Sequence, residues 1–231
     1  MSDAFDDLIR RVEADPAVLG LVLTGSQARD GMATVHSDTD AYVVVEEYGG
    51  AWTDARRSPE LDEIPCSLSD LRDTSDRWQR YSFRGARVLL DRLDGGVAAM
   101  VEAQATLTAT EADAWAREQL DGYVNFVYRA AKNHRDGRPE LARLEEIEAA
   151  PWFLWTLFAL YRRVRPYNKY LSWELVTFPL TEPWTATFLI PALTERPSTL
   201  FAPLETLARE RGLGDVLDSW DELPFIRAYA G

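Results

Sequence analysis

Apolar positions in the first hundred residues follow two different patterns, helical spacing and short continuous runs. Near the start they recur at helical spacing, which predicts a helix over residues 4–14. Short apolar runs follow between polar or glycine-rich segments, and such runs are typical of buried strands. A later segment predicts one more helix over residues 69–80, with Ser69 as its N-cap. We therefore predict an α/β (α+β) N-terminal domain with a small sheet, whose strands lie at residues 18–23, 41–45, 62–68 and 86–91.

The pattern after residue 100 is helical. Thr110 begins a capping-box-like sequence, with Asp113 three positions on, and predicts the start of a long helix. A second long helix is predicted over residues 141–165, with Pro151 as a kink or boundary and Pro166 as its end. Prolines separate shorter helices in the remainder. We therefore predict a catalytic domain over residues 1–100 and an all-α helical bundle over residues 101–231.

Composition narrows the possible partners. The 231 residues carry a formal net charge of −13. A chain this acidic is a poor binder of nucleic acid, since that binding depends on clustered lysine and arginine. The acidity either serves solubility or favours a cationic small molecule as the substrate. Cys66 is the one cysteine, so an intramolecular disulfide is excluded. No secretion signal and no apolar run long enough to span a bilayer are seen, so we expect a cytoplasmic protein without a membrane partner.

Two aspartates directly before an apolar run suggest a metal-binding site. Asp38 and Asp40 are two residues apart, so on a strand their side chains project to one face. Two carboxylates held together favour a cation between them, and Mg²⁺ suits carboxylate oxygens and substrate phosphates. The earlier turn at Gly25 and Ser26 brings backbone N–H groups within reach of a phosphate. Together these residues predict phosphoryl or nucleotidyl transfer.

This spacing, Gly25-Ser26, eleven residues, then Asp38-x-Asp40, resembles the signature of the nucleotidyltransferase superfamily typified by DNA polymerase beta. The chain looks closest to the aminoglycoside adenylyltransferases of antibiotic resistance, and the likeness covers roughly residues 8–94. Thr39 departs from the pattern, which usually has an apolar residue there. The resemblance implies an α/β catalytic domain with a small mixed sheet followed by a helical bundle, with Mg²⁺ as cofactor and ATP as nucleotide donor.

The resemblance also requires a third carboxylate, placed on the strand after the Asp-x-Asp strand. Asp62 and Glu63 are adjacent there and must point to opposite faces. We favour Glu63 as metal ligand and general base, since this choice leaves Ile64 and Cys66 on the other face to pack. Asp62 stays an alternative, and Asp91 on a later strand is a third candidate.

Several other residues are candidates for contact with the triphosphate. Arg29 follows the Gly25-Ser26 turn, with a structural ion pair to Asp30 or Asp38 as its alternative role. Ser37 precedes the aspartates and either binds the nucleotide or caps a local turn. Lys169 lies in a basic segment of the helical half, and the resemblance implies that it clamps the nucleotide phosphates.

The predicted activity is Mg²⁺-dependent transfer of a nucleoside monophosphate, AMP from ATP, to a hydroxyl group. The acceptor is a small polar molecule of aminoglycoside type, cationic in keeping with the acidity of the protein. Transfer of AMP to a protein side chain, as in toxin–antitoxin systems, is one alternative. Nucleotide binding without catalysis is the other.

Overall fold

The structure is a computed structural model that describes residues 3–231. These residues form two compact units. The first ends at Thr106 and holds the sheet, and the second spans Leu107–Gly231. Among the described residues, every strand lies in the first unit and the second is helical.

The first unit is built on a mixed sheet of five strands, as the fold prediction requires. The strand order is β3-β4-β2-β1-β5. Strands β2 and β4 run parallel, and the other neighbours are antiparallel. The strands are β1 (Val18–Thr24), β2 (Thr39–Val45), β3 (Arg56–Arg57), β4 (Leu61–Ser67) and β5 (Arg87–Asp91).

Both faces of this sheet are covered, which explains the nearly continuous apolar runs. Helix α1 (Asp3–Ala14) buries Phe5, Leu8 and Val12 against one face, where Ala41 and Val43 of β2 point. The other face carries Val22, Tyr42, Val44 and Cys66. It packs against three elements: α3 (Leu68–Arg72), a 3₁₀ turn (Gln79–Phe83) and α4 (Gly96–Ala105).

The predicted helix over residues 69–80 is wrong. Helix α3 is a short helix whose N-cap is Ser67, because the Ser67 hydroxyl accepts a hydrogen bond from the Asp70 amide. The chain after it is irregular until the 3₁₀ turn. Arg80 explains this path, since its buried guanidinium donates to the carbonyl groups of Gln104 and Thr106 at 2.9 and 2.6 Å.

The end of the first unit lies a little beyond the predicted boundary near residue 100. Residue 100 falls inside helix α4, which contributes Val97 and Val101 to the core of the second sheet face. The carbonyl groups that bind Arg80 lie at the end of the same helix. Helix α4 therefore belongs to the sheet unit by its packing and its hydrogen bonds.

Two long antiparallel helices, α5 (Ala109–Arg135) and α6 (Pro139–Leu160), form the centre of the second unit. Helix α5 begins at a capping box of Thr108 and Glu111, so the predicted cap at Thr110 is two residues late. The remaining helices are α7 (Leu171–Thr177), α8 (Ala186–Glu195), α9 (Phe201–Glu210), α10 (Gly214–Asp218) and α11 (Leu223–Ala230).

Helix α6 ends earlier than predicted, and Pro151 lies inside it. Arg162 adopts a left-handed conformation with φ of 55°. The amide of Arg163 then bonds to the carbonyl of Phe158 at 2.9 Å, and that of Arg162 bonds to the carbonyl of Ala159 at 2.8 Å. This is the Schellman arrangement that closes helices. No helix among the described residues combines the length and apolarity needed to cross a membrane.

Close packing of α5 on α6 depends on Gly122. A Cβ atom placed there would lie 2.2 Å from Cε3 of Trp152. Gly122→Ala is expected to lower the free energy of unfolding by about 1–2 kcal/mol, because the cost of overpacking exceeds the gain in helix propensity. Urea unfolding followed by circular dichroism measures this change.

Gly214→Ala is the matched control. A Cβ at Gly214 meets only the flexible side chain of Arg209, at 3.4 Å. Its stability is expected to stay near that of the wild type. Equal stability of the two variants would contradict the packing role of Gly122.

Candidate active site

Strand register brings three carboxylates together at one end of the sheet. Asp40 pairs with Asp62 across the parallel strands β2 and β4, and Thr24 of β1 lies on its other side. Asp38 directly precedes β2. One oxygen from each of Asp38, Asp40 and Asp62 lies within 4.8 Å of the others, and all three side chains are half-buried. The arrangement offers a set of hard oxygen donors of the kind that divalent cations bind.

The predicted third acid, Glu63, does not join this cluster. Its position on β4 pairs with Ala41, whose side chain faces helix α1. Its carboxylate accepts a hydrogen bond from Nη2 of Arg11 at 2.7 Å. That hydrogen bond raises the pKa of Arg11 above its ordinary value, against the opposing effect of burial. Glu63 therefore makes an ion pair on the opposite face of the sheet from the acidic cluster.

Asp62, the alternative third acid, lies with Asp38 and Asp40 in the position predicted for Glu63. The residues that follow it on the same face, Ile64 and Cys66, pack with Tyr42 and Val44. The prediction of Glu63 requires the metal-binding acids to lie on one face of the sheet and Ile64 and Cys66 on the other. In the structure they share one face, with the acids at its open end and the apolar residues beneath the covering helices.

Asp91, the third candidate, lies elsewhere. It pairs with Gly20, whereas the acidic cluster adjoins Thr24 at the other end of β1. Its carboxylate accepts hydrogen bonds from the amides of Leu93 and Ala98 at 2.9 and 3.0 Å. Desolvation raises the pKa of Asp91, but these backbone donors outweigh it and leave the pKa below its ordinary value. Asp91 thus fixes the turn into α4.

Gly25 is held against the acidic cluster. It begins the short helix α2 (Gly25–Ala28) with φ of +66°. A Cβ atom at this position would lie 2.0 Å from Oδ2 of Asp40. Ser26 follows it and is buried. The Gly25-Ser26 turn is therefore in direct contact with one of the carboxylates, and only glycine allows that approach.

Arg29, predicted to bind phosphate, is committed to the protein interior. It is 2% exposed. Its Nη1 donates to the carbonyl of Gly25 at 2.6 Å, and its Nη2 donates to the carbonyls of Tyr81 and Ser82 at 3.0 and 3.3 Å. The alternative of an ion pair with Asp30 or Asp38 does not describe these contacts either. Arg29 instead ties the Gly25 turn to the 3₁₀ segment.

This role predicts a stability effect. Arg29→Met is expected to lower the free energy of unfolding by about 2–4 kcal/mol, because it leaves buried carbonyl groups without their charged donor. Urea unfolding measures the loss, with Arg72→Met on the exposed end of α3 as the control. A variant of Arg29 with unchanged stability and weaker nucleotide binding would favour the phosphate role.

Ser37 closes a local turn. Its hydroxyl accepts a hydrogen bond from the amide of Thr34 at 3.0 Å. Ser37 also lines an open cavity of about 540 Å³ together with Gln27, His36 and Thr39. Ser37 thus caps a turn and also lines this cavity. Contact between its hydroxyl and a nucleotide stays a prediction.

Lys169 is exposed on a 3₁₀ turn (Asn168–Tyr170) in the second unit. Its ammonium lies 4.8 Å from the centre of the Tyr170 ring. The contact with nucleotide phosphates that the resemblance implies stays a prediction.

One charged neighbour of the cluster was missed by sequence reasoning. Nε of Arg57 lies 3.7 Å from Oδ2 of Asp62, and the Arg57 side chain is largely exposed. Arg57 belongs to β3, a strand of two residues. So short a strand leaves no periodic signal, and the neighbour becomes visible only through its pairing with β4.

Comparisons with known proteins add a distant likeness. No protein-family model matches the chain, and no curated protein matches it. The crystal structure of a nucleotidyltransferase-like protein from Exiguobacterium sibiricum 255-15 is similar, with 14% sequence identity and a TM-score of 0.47. The alignment covers 93% of this chain and 77% of that chain. A likeness at this level assigns no activity, so the chemistry is inferred from the geometry of the site.

Proposed function

We propose that the protein is a Mg²⁺-dependent nucleotidyltransferase. It would transfer AMP from ATP to a hydroxyl group of a small polar acceptor and release pyrophosphate. The observation that carries this proposal is the convergence of Asp38, Asp40 and Asp62 beside the Gly25-Ser26 turn. A cluster of acids alone is common on protein surfaces. Here a turn built for close approach touches one of the acids, which supports a site for a metal-bound polyphosphate.

The donor set fits a divalent cation. Three carboxylates at this separation repel one another, and a cation bound among them would offset that repulsion. Carboxylate oxygens are the ligands that Mg²⁺ takes alongside phosphate oxygens and water. Asp38, Asp40 and Asp62 would hold the ion, which when bound would neutralise phosphate charge and favour attack at phosphorus.

The residues of the chain have distinct roles in this proposal. The backbone N–H groups of Gly25 and Ser26 bind phosphate oxygens and orient the triphosphate. Asp62 accepts the proton of the acceptor hydroxyl. The hydroxyl oxygen then bonds to the α-phosphorus while the bond from that phosphorus to the bridging oxygen breaks, and pyrophosphate leaves. Lys169 is proposed to bind the departing phosphates, as the resemblance implies.

The acceptor class follows from charge. The net charge of −13 favours a cationic partner, and a hydroxyl is the group that this chemistry modifies. We therefore propose a hydroxylated polyamine-like molecule such as an aminoglycoside. The adenine base of the donor is the choice that the resemblance implies.

Labelled ATP tests this function directly. The full chain is incubated with α-³²P-ATP, Mg²⁺ and a panel of aminoglycosides and simpler amino sugars, and both labelled product and released pyrophosphate are measured. We expect turnover that EDTA abolishes and that Asp40→Asn removes. Turnover with another nucleotide or a neutral acceptor would keep the reaction class and correct the substrate.

The same assay separates the alternatives. A labelled protein band after incubation with cell lysate would favour transfer of AMP to a protein side chain. Saturable ATP binding without pyrophosphate release under any condition would favour a nucleotide-binding protein without catalysis. Absence of both binding and turnover would overturn the proposal.

A further inference from the structure

A cavity of about 430 Å³ lies within the second unit, and its lining includes none of the residues of the acidic cluster. Its wall comes from α6, α8, the first residue of α7, and the loop and 3₁₀ turn between α6 and α7. Most of this wall is apolar, and the polar groups are Arg165, Asn168 and Thr194. The volume falls in the range of about 300–1,000 Å³ that small-molecule sites occupy, and a mostly apolar wall with a few polar groups is their usual character.

The charged group in this wall is buried. Arg165 is 6% exposed, and its Nη2 donates to Oδ1 of Asn168 at 2.9 Å. Its guanidinium carbon lies 5.8 Å from the centre of the Trp155 ring. Burial lowers the pKa of Arg165, yet a guanidinium keeps its charge in proteins. Attraction between this charge and an anion is stronger here than at an exposed site, because the surroundings are of low dielectric constant.

Apolar side chains are exposed at the rim of the same cavity. Ile147 of α6 lines the cavity and is 51% exposed. Leu144, one helical turn earlier on that face, is 58% exposed. Leu154 and Ile190 continue the apolar wall inward. An exposed apolar surface that leads to a buried cation suits a ligand with an apolar body and an anionic end.

We infer that this cavity binds an amphiphilic organic anion, with its carboxylate or phosphate group at Arg165 and Asn168 and its apolar body along Ile147, Leu154 and Ile190. All of these residues belong to the second unit. The inference therefore stands independently of the proposed transfer reaction and its acids.

Calorimetric titration of the full chain with four probes of one chain length tests the site. The probes are octanoate, octyl phosphate, 1-octanol and octylammonium. We expect both anions to bind saturably at one site, at least about tenfold more tightly than the alcohol, as one charged hydrogen-bonded contact provides. Octylammonium is expected to bind most weakly. The ratio of the two anions tells which head group the site prefers.

Three variants locate the binding. Arg165→Met is expected to weaken octanoate binding at least tenfold, and Ala150→Phe is expected to fill the cavity and abolish it. Arg211→Met is the control, because Arg211 is exposed and stacks on Tyr161 outside this cavity. Thermal unfolding checks each fold. If Arg165→Met fails to fold, Ala150→Phe decides the question.

Three results would overturn the inference. One is the lack of saturable binding of either anion. Another is binding of the alcohol or of octylammonium as tightly as the anions, which would show that Arg165 does not select charge. The third is unchanged octanoate binding in Ala150→Phe, which would place the ligand elsewhere.

Discussion

Asp62→Asn is expected to lower the rate of nucleotidyl transfer by about 10²–10⁴-fold, the range lost with a general base. Asparagine has nearly the same size but neither accepts the proton of the acceptor nor contributes negative charge to the cluster. The residue lies beside Asp40 on paired strands, so the change removes one of the three converging carboxylates. Pyrophosphate release at saturating ATP and acceptor measures the rate.

Glu63→Gln is the matched control for this prediction. It makes the same chemical change one residue along the strand, on the opposite face, where the carboxylate pairs with Arg11 at 2.7 Å. The transfer rate is expected to stay at the wild-type level. Stability is expected to fall by about 1 kcal/mol, because Arg11 then donates to a neutral amide oxygen in place of a carboxylate. Thermal unfolding of both variants separates this loss from an effect on chemistry.

The opposite pattern of transfer rates would refute the proposal that Asp62 is the third acid of the site. Loss of activity in Glu63→Gln with normal activity in Asp62→Asn would restore the original choice from the sequence. Loss in both variants at unchanged stability would mean that the site needs a larger set of acids than the three that converge.

The sheet was predictable because its strands are buried on both faces. β1 and β2 read as continuous apolar runs, and turns with glycine or proline mark their ends. Burial on both faces also explains why the orientation of Asp62 and Glu63 could not be inferred from the sequence. Alternation of polar and apolar residues tells which face of a strand is exposed, but a strand covered on both faces has little alternation to read. The choice between Asp62 and Glu63 therefore required the register of β4 against β2.

Asp38, Asp40 and Gly25 were predictable for a different reason. Asp38 directly precedes β2 and Asp40 is its second residue, so a shared direction of their side chains follows from the geometry of an extended chain. Arg29 shows the limit of such reasoning. Its carbonyl partners at Tyr81 and Ser82 are distant in sequence, and no local pattern marks a segment whose carbonyl groups need a donor.

These contacts connect packing to the chemistry of the site. Arg29 binds the carbonyl of Gly25 at 2.6 Å, and Gly25 in turn lies against Asp40. The position of the turn relative to the acid is thus set from inside the protein, which would hold the proposed phosphate-binding turn in place before substrate arrives. We conclude that the proposed site depends on close contact between Gly25 and Asp40, and a single methyl group tests it.

Gly25→Ala is expected to lower the transfer rate by about 100-fold, the cost of displacing a catalytic group by about 1 Å. The added Cβ would lie 2.0 Å from Oδ2 of Asp40, so either the carboxylate or the turn must move. The left-handed backbone adds a cost of about 1–2 kcal/mol in stability. Pyrophosphate release measures the rate, and thermal unfolding measures the strain.

Gly31→Ala separates the effect of contact with Asp40 from the effect of backbone strain. Gly31 has nearly the same backbone conformation, with φ of +75°, but nothing lies within 4 Å of a Cβ placed there. This variant is expected to lose a similar amount of stability and to keep its transfer rate, because it strains the chain without touching an acid. Equal loss of activity in both variants would mean that backbone strain alone accounts for the effect. A normal rate in Gly25→Ala would mean that the turn and the carboxylate work at a greater distance than the structure places them.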